Sequence, residues 1–407
     1  MTAALRTFAM LCAGPLAMLL AGLPALLRTG QVDLRAWMWP ALVLILASVI
    51  LRRRRSAMHA IWAGVGGLSI LLLFVWLATR RLPDLASSFC LGLTVILAVG
   101  AGIIILRQRW LGLSLAGLAV LTCWIAAEPS IERAEERPAL AVITALPLFW
   151  REEGGGVAAR EDAPIITVLR QRFDVRPVDS VLPPNMRGVA ALLIAQPRSL
   201  PPAELAALDD WVHAGGKLLL LADPMLRWPS SLPIGDRRRP PAISMLSPLL
   251  AHWGVDLLPP SSTGEGRQTL EDGRLLTTMA ASSFGIQAGS SCRAQNEGLV
   301  ARCRIGHGQA VLIADADLID DRLWLADSAR ALSADAWSAD TPGFLVDQLN
   351  GGPIKGRPWL TSLPALMVAL RFSVAAGIIW AVLGTMLLGR RGKALHRSVR
   401  TEETAIC

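Results

Sequence analysis

Two strand ends in this chain carry acids: Leu221-Ala222-Asp223-Pro224, and Ile313-Ala314-Asp315-Ala316-Asp317 followed by Asp320 and Asp321. Each follows a short apolar run of the kind that forms a buried parallel strand, and open parallel sheets bind ligands beyond the carboxyl ends of their strands. Asp223, Asp315 and Asp317, with Gln196 after the apolar run 189–195, are therefore candidate ligand-binding residues around one crevice. Asp315, Asp317 and Asp320 also offer the hard oxygens that a divalent cation takes. They lack the Gly and terminal Glu of an EF-hand loop, so no metal is expected. The plainer role for these acids is to cap the turns or helices that follow and to pair with Arg322.

Other chemistries find no residues. No GxxxxGK[ST], HExxH, GxSxG or strand-following GxGxxG occurs, so the chain cannot act as an ATPase alone, and no cofactor is expected. The five histidines are scattered: His59 and His396 flank apolar runs, and His213, His252 and His307 fall at helix ends or in a turn. The run Gly154-Gly155-Gly156 reads as a loop. Of six cysteines, Cys12, Cys90 and Cys123 lie in apolar runs and Cys407 is terminal. Cys292 and Cys303 lie in an expected hairpin turning at Glu297-Gly298, which sets the two opposite each other at a separation a disulfide can bridge. Two small buried thiols are the alternative. No zinc-type spacing is present.

The elements that would position these residues begin near residue 138. Short apolar runs alternate there with amphipathic stretches, the pattern of α/β folding. Strands are expected at 140–145, 173–178, 189–195, 217–221, 255–258 and 310–314, and helices at 164–172, after Pro201-Pro202, at 245–253 and at 341–349. Residues 290–303 form the hairpin, and 259–273 read as a loop or excursion. Strand, helix and strand over 189–221 make a βαβ unit, and the sheet is expected to be mainly parallel and doubly wound.

Outside that segment the chain is apolar. Over its 407 residues 53% are hydrophobic, 18% are charged, and the mean hydropathy is +0.46. Runs at 8–27, 37–51, 60–78, 86–106, 110–127 and 372–388 approach the ~20 residues that cross a ~30 Å hydrocarbon core. The first could alternatively be a signal peptide. Trp37 and Trp39 are placed at the interface, and Arg371 at the edge of the last span. The net charge of +8 divides unevenly: residues 128–361 carry 23 Lys/Arg and 28 Asp/Glu, so the rest holds +13. Basic residues mark cytoplasmic loops. Taking Arg52–Arg55 as inside puts 12 Lys/Arg on that face and 4 on the other, with both termini in the cytoplasm and 128–361 outside it, in the periplasm of a Gram-negative cell. The expected organisation is a five-helix transmembrane region (1–127), an extracytoplasmic α/β domain (128–361), a closing span (362–389) and a basic tail (390–407). The basicity belongs to the membrane flanks, so no nucleic-acid partner is expected. Gly64, Gly66 and Gly67, with Gly100 and Gly102, would let helices approach closely, within the chain or against a partner.

The block Pro201-Pro202-Ala203-Glu204 through Leu208-Asp209-Asp210-Trp211-Val212, then Gly215-Gly216-Lys217-Leu218-Leu219-Leu220, resembles one in the extracytoplasmic domains of GldG-type auxiliary subunits of ABC transporters. The stretch Gly308 to Asp317 resembles the final strand of that family and its acid pair. The resemblance covers about residues 138–350 and the closing span, and the block is shared with class I glutamine-amidotransferase-like domains. It implies a non-catalytic membrane subunit whose outer domain binds a substrate or an envelope partner, while separate ATPase and permease subunits act beside it. The chain departs from the family in having five N-terminal spans instead of one. An amidotransferase-like hydrolase is the alternative, but the turns after 217–221 and 189–195 carry Asp223-Pro224 and Gln196-Pro197 where a Cys or Ser nucleophile would stand. It would have to use an acid-activated water. An envelope scaffold without ligand is the third reading.

Overall fold

A computed structural model describes residues 3–51, 57–105, 108–126, 131–153, 156–260, 262–352, 354 and 356–403. The Arg52–Arg55 run, Arg107, Glu128, Gly154, Gly155 and Cys407 lie outside the described residues, as do the side chains of the basic tail. The chain divides into two compact units, Met1–Glu128 with Arg357–Cys407, and Pro129–Gly356.

The first unit is helical: α1 (Ala3–Ala21), α2 (Leu23–Thr29), α3 (Arg35–Leu51), α4 (Ala57–Thr79), α5 (Leu85–Ile104) and α6 (Arg109–Ala126), closed by a C-terminal helix, Leu363–Glu403. Five segments among the described residues are long and apolar enough to cross a membrane: Thr7–Thr29, Met58–Thr79, Leu85–Ile104, Arg109–Ala126 and Leu363–Leu388. The remaining expected span is α3, whose apolar stretch Arg35–Leu46 is shorter. Trp37 is buried against neighbouring helices: its Nε1 donates to Leu19 O at 3.2 Å and its ring meets Phe74 edge-on at 5.9 Å. The last helix starts nine residues earlier than the hydropathy run, because Ser362 Oγ accepts from Ala365 N as an N-cap and Pro364 fits the first turn. Arg371 therefore lies well inside that helix, exposed.

Close packing within the bundle uses the glycines of α4. A Cβ on Gly66 would come within 2.3 Å of Trp380 Nε1, and one on Gly67 within 2.6 Å of Met18 Sδ. These close approaches are made inside the unit. Trp62 and Trp380 stack at 4.5 Å, and each indole donates to the other's backbone carbonyl, at 3.1 and 2.9 Å. The end of α4 and the segments 30–33 and 357–361 meet at one end of the bundle. There Val32 N donates to Pro358 O, Leu360 N to Gly30 O, Thr361 N to Ala78 O, and Arg357 pairs with Asp33.

The second unit is built on a seven-stranded sheet: β1 (Ala139–Thr144), β2 (Asp174–Pro177), β3 (Ala191–Ala195), β4 (Lys217–Leu221), β5 (Cys292–Gln295), β6 (Val300–Ile305) and β7 (Gly308–Ile313). The order is β5-β6-β7-β4-β3-β1-β2. Strands β7, β4, β3, β1 and β2 are mutually parallel, and β5 and β6 add an antiparallel edge. The central parallel strands β1, β3, β4 and β7 are mostly apolar because both faces are covered, whereas the edge strand β2 carries Asp174 and Arg176. Leu140, Val142, Leu193, Leu219 and Ile313 pack on one face with α7 (Pro164–Arg172) and α10 (Thr341–Gln348). Ala141, Ile143, Leu192, Leu218 and Leu312 pack on the other with α8 (Pro202–His213) and α9 (Ser247–His252). Within the stretch 259–273, read as a loop, Glu265–Thr269 is a strand paired with Leu275–Met279. Short pairs Arg151–Glu153 with Gly156–Ala159, and Val255–Leu257 with Phe284–Ile286, complete the unit.

Candidate functional site at the carboxyl edge of the sheet

Strand β3 ends at Ala195, and the next residue, Gln196, turns the chain with φ +43°. Its fully buried side chain spans to the end of β4: Oε1 accepts from Asp223 N at 3.0 Å, and Nε2 donates to Asp223 O at 3.1 Å and Pro241 O at 3.0 Å. Asp223 lies beside Asp315 and Asp317, which follow β7, and one carboxylate oxygen from each falls within 4.8 Å of the others. The structure thus brings all four expected residues together, yet each is no more than 1% exposed. They do not line an open crevice.

Backbone amides surround these acids. Asp223 accepts from Met225 N (2.7 Å) and Ala316 N (3.2 Å), Asp315 from Met279 N (2.8 Å) and Leu318 N (3.1 Å), and Asp317 Oδ2 from Arg227 N (2.6 Å). Asp317 Oδ1 is buried without a hydrogen-bond partner. Burial pushes all three acids up: Asp315 well above the carboxylate range and Asp317 to about 7, with the neighbouring Asp223 carboxylate adding to both. Five of the six oxygens accept a backbone amide, so the three carboxylates fasten the loops that meet over the strand ends. Asp320, grouped with Asp315 and Asp317 by spacing, instead caps the turn Asp321–Trp324 through Arg322 N (3.0 Å) and pairs with the Arg322 guanidinium. Capping and pairing with Arg322 is the plainer of the two roles read for it.

Cys292 and Cys303 face each other across β5 and β6 and are joined by a disulfide. Two groupings are absent from the sequence reading. His213 and His252 both approach Asp209, at 3.4 and 3.5 Å, while Trp253 Nε1 donates to that carboxylate at 2.7 Å. Only the four-residue spacing of Asp209 and His213 hinted at it. Beyond the ends of β1 and β2 lies an open cavity of about 870 Å³, lined by Thr144, Trp150, Arg160, Arg170, Arg198 and Arg238 among others. A second, of about 1260 Å³, shares Trp150 and Asp162 with it. No local signal announces either cavity, because the lining residues come from separate loops.

No curated protein matches the chain. Among solved structures it is similar to the exo-beta-1,4-mannosidase Op5Man5 from Opitutaceae bacterium strain TAV5, at 13% identity and TM-score 0.30 over 58% of this chain and 38% of that one. A beta-galactosidase from Rahnella sp. R3 gives 11% identity and TM-score 0.28 over 63% and 35%. The cytoplasmic protein STM1381 from Salmonella typhimurium LT2 gives 12% and 0.33 over 53% and 99%. The chain spans little more than a third of the length of the two glycosidases. Likenesses of this strength carry no inference about activity. Residues 137–260, which run from β1 past α9 and hold Gln196 and Asp223, match the model of a family described as an ABC-type uncharacterized transport system, and this supports an auxiliary role in ABC-type transport.

Proposed function

We propose that the chain is a non-catalytic membrane subunit of an ABC-type transport system. The observation that carries this reading is the match of residues 137–260 to a family of such systems, in a chain with five segments of membrane-crossing length and hydropathy among the described residues. In this reading α3 supplies a sixth span, and the sheet unit is a doubly wound, amidotransferase-like domain of GldG type. The unit faces the extracytoplasmic side, the termini are cytoplasmic, and the domain binds a substrate or envelope partner. Separate ATPase and permease subunits drive transport, since the sequence has no phosphate-binding loop. Gln196, Asp223, Asp315 and Asp317 hold the loops over the carboxyl edge in shape; their burial supports that role over direct ligand contact.

Extraction from the native membrane in mild detergent tests the proposal. An ATPase subunit should co-purify in a fixed ratio with the chain. Recovery of the chain without any ATPase, under conditions that preserve its folded state, would count decisively against it.

A further inference from the structure

The cavity beyond β1 and β2 sits where the sheet reverses direction. From β1 the chain runs through α7 to β2 at the edge, then crosses back to β3 on the other side of β1. Helices α7 and α8 pack on opposite faces, so their loops part above the ends of β1 and β3. In open sheets this parting is where ligands are held. The buried acids lie farther along, after β4 and β7, and do not line this space.

Four guanidiniums do: Arg160, Arg170, Arg198 and Arg238. Among the described lining residues the one carboxylate, Asp162, grips Arg170 with both oxygens, and Arg170 also donates to Val175 O at 3.1 Å. Arg238 is held by Asp236, with contacts of 3.0 and 2.6 Å. The Arg198 guanidinium donates to the Arg237 carbonyl, a neutral group that leaves its charge uncancelled, and Arg160 stands exposed at the rim. Among the described lining residues positive charge therefore exceeds negative around a concave volume, in a unit that is acidic as a whole. Guanidinium forks match carboxylate and phosphate geometry, and the Phe149 and Trp150 rings offer apolar walls beside them. The volume lies within the range of about 300–1,000 Å³ typical of organic-ligand pockets, well above that of a lone inorganic anion.

We propose that this cavity binds an organic anion through a carboxylate or phosphate group, with Arg198 and Arg160 as principal contacts and Arg170 and Arg238 completing the wall. The assignment concerns ligand chemistry and stands independently of the transport reading.

The test uses the full-length chain in detergent at low salt, titrated by calorimetry with citrate, pyrophosphate and dioctanoyl phosphatidylglycerol. Saturable binding is expected for at least one probe. Citrate or pyrophosphate binding identifies a free anion as the ligand source, and binding confined to phosphatidylglycerol identifies a lipid headgroup. The double variant R160A/R198A should weaken binding at least tenfold. R293A, on the opposite edge of the sheet, should leave it unchanged. If the double variant loses its cooperative melt, R198Q alone should still weaken binding several-fold. Absence of saturable binding by all three probes, or affinity unchanged in a folded R198 variant, overturns the proposal. Co-purification of an ATPase is a separate readout, so either reading can fail without the other.

Discussion

The acids at the ends of β4 and β7 are stable in place because amides face them, but ionising all three at once would set like charges within one dry volume. Asp317 shows the consequence most directly. Burial, with the Asp223 charge adding and the Arg227 amide opposing, lifts it from 3.8 to about 7. A raised acid keeps its proton in the folded chain at a pH where the unfolded chain has lost it. Its contribution to stability is therefore fully present below about pH 4 and is lost as pH rises through about 7. Asp223 and Asp315 are shifted in the same direction. The sheet unit should melt at a higher temperature at pH 5 than at pH 8. In D317N an uncharged amide can keep the bond from Arg227 N and turn its NH2 toward the neighbouring carboxylates. The variant should gain on the order of 1–2 kcal/mol at pH 8 and change little at pH 5. Thermal unfolding of the purified chain at the two pH values measures this, and a variant that keeps the wild-type pH dependence would show that Asp317 does not titrate in that window.

At the scale of elements, two close contacts set how the sheet is built. Strand β7 begins at Gly308, where an added Cβ would lie 2.0 Å from Val212 O and 2.5 Å from Gly216 O. Both atoms are backbone at the end of α8 and the start of β4, so neither can yield cheaply. G308A should cost about 2–4 kcal/mol, read as a lower denaturant midpoint with unchanged slope. A near-neutral result would mean that α8 is free to shift from the sheet. The second contact is the disulfide closing the β5–β6 hairpin. A short closed loop is worth roughly 2–3 kcal/mol, so reduction should lower the melting temperature by about 5–10 °C. Alkylation without reductant should leave Cys292 and Cys303 unlabelled, and ready labelling of either would exclude the bond in the native protein.

These elements were legible to different degrees. Strands β1, β3, β4 and β7 announce themselves because two covered faces demand apolar residues throughout, and α7 starts at Pro164 as its first turn requires. The Cys292–Cys303 register followed from the turn position. The strand Glu265–Thr269 escaped notice because it buries no apolar face, though Asp272-Gly273 (φ +83° at Gly273) is a hairpin turn signal that could have revealed it. The convergence of Asp223 with Asp315 and Asp317 could be expected from strand ends, but their closure from solvent depends on loops reaching across from Met279, Arg227 and Pro241. The arginine cavity was not legible at all. Its residues span 144 to 238, and only the strand order gathers them.

For the whole molecule, the question is which side of a membrane the sheet unit occupies. Within the helical unit, the Trp62–Trp380 stack ties the C-terminal helix to α4, so residues on either side of the sheet unit in sequence belong to one bundle. The segments 30–33 and 357–361 meet the end of α4 at one end of that bundle. In the proposed topology the connections after the first and third spans share a side with the sheet unit. That side carries 4 Lys/Arg in its short loops, against 12 on the other. In the proposed orientation the poorly charged side is extracytoplasmic. Ile234, 96% exposed in the sheet unit, is a clean reporter position. In intact cells an I234C variant should react with a membrane-impermeant maleimide without permeabilisation, while a cysteine replacing Arg400 in the tail should react only after the membrane is opened. Reversal of the two patterns would place the sheet unit in the cytoplasm. It would then put the arginine cavity and the disulfide in a reducing compartment, where the bond between Cys292 and Cys303 would not be expected to persist.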